Sequence, residues 1–348
     1  MRPRVFESMK ITILEFAPCA DTIYHIRQDA DEGYIAGDRS RLTIKTGAKL
    51  RPQLVSYYAG GKATNVARVL DRLLTDEEID VELVVFRPDS PEGRYIHDLQ
   101  TEALRRVRVN PVIISGVARF CIDLTDPATD PRNRVEFNIS PRAVWEESAM
   151  EMALEFASAL STDALIMAGN PPMVSRGQGS RSAHAPVGDQ SELAVDLYAR
   201  VIESVRQRVG VISIDTEKQT LARCLESTSR PDAIKINADE YASVDDRLWN
   251  EFDGTLVVTD TGGCLVRENR VETRADGARV QQLYSTVGAG DAVHAGFIVA
   301  RWGWGFDSLR AARYGLAAAA AAVSNPQGTR DVSKQEIERF FAEMEKAR

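Results

Sequence analysis

Three short runs decide the fold: V-I-S-I-D at 211–215, A-I-K-I at 233–236 and T-L-V-V-T at 255–259. Each is almost continuously apolar, rich in β-branched residues and too short for a helix, which reads as a strand buried on both faces. Working outward, 81–86 and 164–168 have the same character, and M-K-I-T-I-L-E-F from Met9 opens the series. Between the runs lie segments of helical period. Val66, Val69, Leu70 and Leu73 share one face, as do Leu193, Leu197, Val201 and Val205. Strands joined by helices imply parallel pairing, so the expectation is an α/β fold with a mostly parallel central sheet covered by helices on both sides.

Two stretches break this rhythm. Residues 20–58 hold D-T-I-Y-H-I, R-L-T-I-K and Q-L-V-S-Y-Y, separated by Gly and Asp turns, and 117–139 reads as a hairpin from A-R-F-C-I-D-L-T to R-V-E-F-N-I. These pieces predict a small accessory sheet over the main domain. Residues 175–191 are nearly devoid of large apolar side chains and read as a mobile surface loop. No internal repeat is visible. Residues 1–8 precede the first strand pattern and read as an extension.

The chain has 348 residues, 44% of them hydrophobic and 27% charged, which is the balance of a folded globular protein. Lys and Arg number 43 against 51 Asp and Glu, for a net charge of −8. An acidic chain without a basic tract argues against nucleic acid as a partner, but not against a phosphorylated small molecule that needs only a few local cations. Cys19, Cys121, Cys224 and Cys264 are far apart, and the four histidines are scattered, so neither a disulfide framework nor a zinc motif is legible. There is no apolar signal core at the N-terminus, and the alanine-rich run at 316–323 is too short to span a bilayer. A cytoplasmic protein without a membrane partner is expected.

The strongest chemical signal is S-T-V-G-A-G-D-A-V-H-A-G-F at 285–297. Gly288, Ala289 and Gly290 at the start of a helical stretch would present backbone N–H groups to an anion, reinforced by the helix dipole. Asp291 then stands beside the anion, placed to take a proton from an attacking hydroxyl. A glycine turn capped by an aspartate fits the same letters. A dinucleotide fingerprint does not, because it needs glycine at Val293. The second signal is A-G-G-K-A-T-N at 59–65. Gly60 and Gly61 allow close backbone approach before a helix expected to begin near Asn65, and Lys62 with Asn65 can grip hydroxyls or phosphate. A P-loop is excluded by Ser56 and Ala63, whereas a tight turn with a solvated lysine remains open. Asp21 follows the first strand, where it is either a binding carboxylate or a turn residue. Asn237 and Glu240, three apart after a buried strand, fit hydrated Mg²⁺ or a helix capping box equally well.

Taken together and in this order, these residues resemble the ribokinase-like, phosphofructokinase-B-type carbohydrate kinases, a family that includes 1-phosphofructokinase, the minor-type 6-phosphofructokinase and tagatose-6-phosphate kinase. The resemblance runs from about Met9 to about Arg330. Asp21 is similar to the family's sugar-hydroxyl aspartate. Gly60, Gly61, Lys62 and Asn65 resemble its first signature, and the 168–172 turn A-G-N-P-P resembles its S-G-S-L-P. Asn237 and Glu240 match its N-x-x-E magnesium motif, and Gly288–Asp291 its G-A-G-D. Departures are Ala63 where glycine is usual, Asp215-Thr216-Glu217-Lys218 for D-x-S-G, and Thr259-Asp260-Thr261-Gly262-Gly263-Cys264 for S-L-G-x-x-G.

The resemblance implies a three-layer sandwich with a β lid. It implies one kinase domain over 9–332, lid segments at about 20–58 and 112–140, and a C-terminal helix over 333–348. It implies ATP and Mg²⁺ as cofactors, with Asp291 as base and Gly288, Ala289 and Gly290 as the anion hole. Asp21, Arg51, Gly60, Gly61, Lys62, Asn65, Arg119 and Asn138 would bind substrate. Lys235, Asn237, Thr259, Gly262, Gly263 and Asn325 would bind the nucleotide, with Asn237 and Glu240 holding the metal through water. Lys62, Arg51 and Arg119 together suit a phosphohexose: fructose 1-phosphate, fructose 6-phosphate or tagatose 6-phosphate, although Arg51 and Arg119 also fit as solvated lid residues. A kinase for an unphosphorylated sugar or nucleoside, and a regulatory binding protein on the same scaffold, are the competing expectations. The exposed lid edge suits a homodimer.

Overall fold

The computed structural model describes residues 8–25, 34–36, 42–44, 54–74, 79–125, 134–138, 143–175 and 191–347. Among these, nine strands form one sheet, in the order Val271–Asp276, Gly263–Glu268, Thr255–Asp260, Ala233–Asn237, Val209–Asp215, Thr162–Ala168, Met9–Glu15, Ile79–Pro88 and Arg108–Ile114. All neighbours pair in parallel except the last two at the Val271–Asp276 edge, which form antiparallel hairpins. The apolar runs of the sequence are therefore the strands of this sheet. The two hairpin strands were not anticipated, because Val271–Asp276 is exposed along most of its length and carries no apolar run.

Strand alternation distributes the apolar side chains to two cores. Ile11, Ile13, Leu83, Val85 and Ile166 pack with the helices Lys62–Leu73, Ala289–Ile298, Ser308–Val323 and Lys334–Lys346 on one face. Leu14, Val84, Phe86, Leu165 and Met167 pack with Glu147–Ala159, Leu197–Val205 and Lys218–Glu226 on the other. The result is a three-layer α/β/α sandwich. Val66, Val69, Leu70 and Leu73 are buried on one helix as expected. Leu193 is not on the helix of Leu197, Val201 and Val205: it ends the strand Ser191–Leu193, and the helix starts only at Leu197. The alanine-rich run lies within Ser308–Val323, mostly buried, and no helix of the described residues is long and apolar enough to cross a membrane.

The two sequence interruptions do pair with each other. A four-stranded sheet runs Arg134–Asn138, Arg119–Thr125, Cys19–His25, Leu54–Gly60. The hairpin strands are antiparallel, and Cys19–His25 lies parallel to Arg119–Thr125. Tyr34–Ala36 and Leu42–Ile44 form a separate two-stranded ribbon. Residues 1–7, Arg51 and most of the 175–191 loop lie outside the described residues.

Candidate active site

The carboxyl ends of the parallel strands converge on one edge of the large sheet, where open α/β folds bind ligands. Glu15, Ala168, Asp215 and Asn237 each end a strand there. Asp215 is fully buried and is the hub of the charged cluster. Its Oδ1 accepts from Lys62 Nζ at 2.6 Å, and its Oδ2 from Lys235 Nζ at 2.8 Å. Burial alone would raise the pKa of Asp215, but Lys235, Lys62 and His294 together outweigh it and hold the carboxyl well below its ordinary range. Lys62 also donates to Glu240 Oε1 at 3.2 Å. Burial would lower its pKa, yet Asp215, Glu240 and Asp291 drive it above the ordinary lysine value. Lys62 is thus neither a solvated turn residue nor a cation without partners.

Gly61, at φ +102°, ends the strand Leu54–Gly60 and turns the chain into the helix Lys62–Leu73. The helix therefore begins three residues before the expected Asn65, whose own N–H closes the first turn onto the Gly61 carbonyl at 3.0 Å. Asn65 accepts from Arg68 Nη1 at 3.0 Å and from Thr329 Oγ1 at 3.4 Å through Oδ1. Its Nδ2 donates to Asp291 Oδ2 at 2.8 Å. Asp291 sits at the third position of the helix Ala289–Ile298 and caps nothing, as no side-chain cap bond is present there. Burial, then the nearby Asp215, pushes Asp291 up to about 6 against the pull of Lys235, Lys62 and Asn65.

Gly288 precedes this helix in a left-handed conformation, φ +76°, that favours glycine. Ala289 donates its N–H to Thr286 at 3.3 Å, so the amides left at the helix start are those of Gly290 and Asp291. A Cβ on Gly290 would lie 2.5 Å from Lys235 Nζ, which places that ammonium directly under the loop. The residues fit a phosphate and its magnesium: a glycine cradle, a helix N-terminus and a lysine at the anion, with carboxylates alongside.

Asn237 and Glu240 form a complete capping box, with reciprocal bonds of 2.8 Å between each side chain and the other's N–H. The second oxygen of Glu240 accepts from Lys62. Thr259 donates to the Ile236 carbonyl at 3.1 Å, while Gly262 turns the chain from Thr255–Asp260 into Gly263–Glu268, which Gly263 opens, with the Gly262 N–H on Asp260 Oδ1 at 2.7 Å. Asn325 donates to the Asp331 carbonyl at 2.8 Å, beyond the end of Ser308–Val323. These residues make local bonds and do not join the cluster around Asp215 in the described residues.

The small sheet brings the other candidates in from above. Asp21 pairs with Tyr58 on one side and Cys121 on the other. Its carboxylate faces Gly60, where a Cβ would overlap it. Arg119 pairs with Cys19, and Asn138 ends its strand opposite Cys121. Three residues of this region were missed in the sequence. Arg330 stacks 3.4 Å over the Tyr58 ring and acts electrostatically on Asp21. Buried Arg68 holds the Ala59 carbonyl as well as Asn65. Glu15, pushed up to about 7 by burial, accepts from Thr64 and Gln100 beneath Gly61. The signal that points to such residues is an ionisable side chain in an apolar setting, as with Glu15 closing the first strand.

A mostly parallel sheet in three layers sets a strand-edge charge cluster beside a glycine helix start, an arrangement suited to an anionic ligand. The pfkB family carbohydrate kinase model matches residues 33–335, and the chain belongs to that family. No curated protein sequence matches it. Among solved structures it is similar to phosphofructokinase-2 from Escherichia coli, with TM-score 0.75 and 18% identity over 97% of this chain and 99% of that one. A possible 1-phosphofructokinase from Thermotoga maritima gives TM-score 0.71 at 16% identity, covering 96% and 97%. Ribokinase from the same organism gives 0.65 at 13%, covering 96% and 99%. The chain is a carbohydrate kinase with a ribokinase-like fold, and kinases of this family use ATP and typically Mg²⁺.

Proposed function

We propose that this kinase transfers the γ-phosphoryl group of ATP to a hydroxyl of a phosphohexose, fructose 1-phosphate, fructose 6-phosphate or tagatose 6-phosphate, with Asp291 as the base. The observation that carries this reading is Asp291 itself. It is a buried carboxylate at a helix start, held by Asn65 at 2.8 Å and raised to about 6, ionised at neutral pH yet basic enough to take a proton. ATP with Mg²⁺, when bound, supplies the phosphoryl group and screens its charge.

The chain's own residues do the rest. Gly290 and Asp291 N–H groups, with Lys235 beneath them, stabilise negative charge on the transferred group. Asp21 orients the acceptor and Asp291 receives its proton. Glu240 and Asn237 would hold the metal through its water shell, with their capping box fixing their positions. Arg119 and Arg330, on and beside the small sheet, suit an acceptor that already carries a phosphate. The phosphofructokinase-2 structures include one of that enzyme in complex with fructose 6-phosphate.

The test is a coupled ATP-turnover screen over the three phosphohexoses and the free sugars. Turnover of a phosphohexose well above any free sugar supports the reading. Preference for a free sugar would replace the substrate assignment, and binding without turnover would favour the regulatory alternative. We further propose a homodimer through the small sheet, whose outer strand exposes Leu54 and Tyr57. Tyr57→Lys should halve the particle mass seen by light scattering, and a wild-type monomer would refute the dimer.

A further inference from the structure

Two of the scattered cysteines meet in the small sheet. Cys19 and Cys121 lie on its adjacent parallel strands with their sulfur atoms 3.4 Å apart. The Cys19 thiol also donates to Asp21 Oδ1 at 3.2 Å. One donor atom from each of the three residues lies within 4.8 Å of the others. Both cysteines are buried, but Asp21 is half-buried, so solvent reaches the cluster at Asp21.

We propose that Cys19, Cys121 and Asp21 form a binding site for a thiophilic divalent cation, best matched by Zn²⁺, and that its occupation withdraws Asp21 from the acceptor sugar. Two thiolates and a carboxylate are ligands Zn²⁺ takes tetrahedrally, with water in the fourth position. Bonds of about 2.3 Å to sulfur put the two sulfur atoms about 3.8 Å apart. The observed 3.4 Å needs an adjustment of only a few tenths of an ångström. Mg²⁺ prefers hard oxygen ligands and does not compete for this set.

A disulfide suits the geometry less well. The register sets Cys121 opposite Asp21 and Cys19 opposite Arg119, so the cysteines are offset by two residues. Strand spacing and rise then separate their Cα atoms by about 8 Å, beyond the usual span of a disulfide. Binding Zn²⁺ releases both thiol protons and leaves two thiolates and one carboxylate on a dication, a net charge of −1. Arg119 acts on Cys19, and Arg330 on Asp21, with the sign that offsets it. The consequence for the sugar rests on the acceptor role of Asp21 proposed above, whereas metal binding does not.

The test uses the full chain, reduced and stripped of metal, titrated with Co²⁺ and then Zn²⁺. One equivalent of Co²⁺ should produce a sulfur-to-cobalt charge-transfer band that one equivalent of Zn²⁺ removes, with two protons released per ion. Cys19→Ser and Cys121→Ser should each abolish the band. Should either variant fail to fold, pulsed alkylation of the wild type decides: Zn²⁺ should slow modification of Cys19 and Cys121 and leave the rates at Cys224 and Cys264 unchanged. A missing band, a band that survives both substitutions, or equal protection of all four cysteines overturns the site. Enzyme preloaded with Zn²⁺ and desalted should show a KM for sugar raised at least tenfold, with the KM for ATP unchanged and full reversal by chelator. Bound Zn²⁺ with an unaltered sugar KM overturns the link to Asp21. A chain without turnover on any sugar counts against the kinase reading alone, since the cobalt spectrum still reports the site.

Discussion

At the carboxyl edge of the large sheet, Asp215, Lys62, Lys235 and Glu240 neutralise one another at 2.6–3.2 Å, with Asp215 and Lys235 buried. At the small sheet, Asp21 and Arg119 on its strands and Arg330 beside it are only half-buried, with Arg119 acting on Cys19 and Arg330 on Asp21. The first region pairs its charges within itself, and burial there, with the Asp215 charge second, raises the proton affinity of Asp291. The second keeps its charged groups in contact with solvent. Removing a partner from a buried pair leaves a desolvated charge behind, whereas a half-exposed group falls back on water. In the function proposed above, one sheet governs the chemistry and the other the choice of acceptor.

The sharpest way to separate these roles is at the base. Asp291→Asn keeps the shape and is expected to lower kcat by about 10²–10⁴ with a modest change in KM. In the wild type, kcat/KM should fall as pH drops through about 6, where Asp291 takes up a proton, and level off above it. A profile that stays flat down to pH 5 would place the base elsewhere. The sign for stability is opposite. Burial raises this carboxyl above its unfolded value, so ionised Asp291 destabilises the fold above about pH 6 and costs nothing below about pH 4. The Asn variant should melt higher than the wild type at pH 8 and equal to it at pH 4, as read by calorimetry.

The contrast in stability comes next. Asp215→Asn takes the carboxylate from buried Lys235 and leaves Lys62 with Glu240 alone, and is expected to cost about 3–5 kcal/mol, against less than about 1 kcal/mol for Asp21→Asn. Equal losses in urea unfolding would break the comparison. Arg119→Ala should raise KM for a phosphohexose by roughly tenfold, the value of a charge-assisted hydrogen bond, and leave any activity on free hexose nearly unchanged. Loss on both acceptors alike would assign Arg119 to the packing of the sheet. The smallest effect is expected for Glu240→Gln, a rise of a few-fold in the Mg²⁺ concentration for half-maximal rate. An unchanged Mg²⁺ dependence would leave Glu240 with its capping box alone.

What was legible in the sequence was local. The strands appeared because burial on both faces demands unbroken apolar runs, and the glycine loop before Asp291 because a left-handed residue at a helix start demands glycine. The start of the helix at Lys62 was misplaced because the turn depends on the φ of Gly61, which the letters do not carry. Asp215 passed as a mere departure from a motif because its partners are 153 and 20 residues away.

The sequence by itself determined the α/β class, the two interruptions, the acidic balance and the candidates Asp291, Asn65, Lys62 and Asp21, since each follows from periodicity, composition or near-neighbour spacing. Only the tertiary structure decided which charges are paired and which cysteines meet. Asn65 reaches Asp291 across 226 residues, and Cys19 reaches Cys121 across 102. Such encounters depend on strand order and register, which long-range packing selects from many arrangements that satisfy the same local preferences. Burial and the charges packed beside it then fix the proton affinities, because two lysines outweigh desolvation at Asp215 and drive it down, whereas desolvation prevails at Asp291 and drives it up.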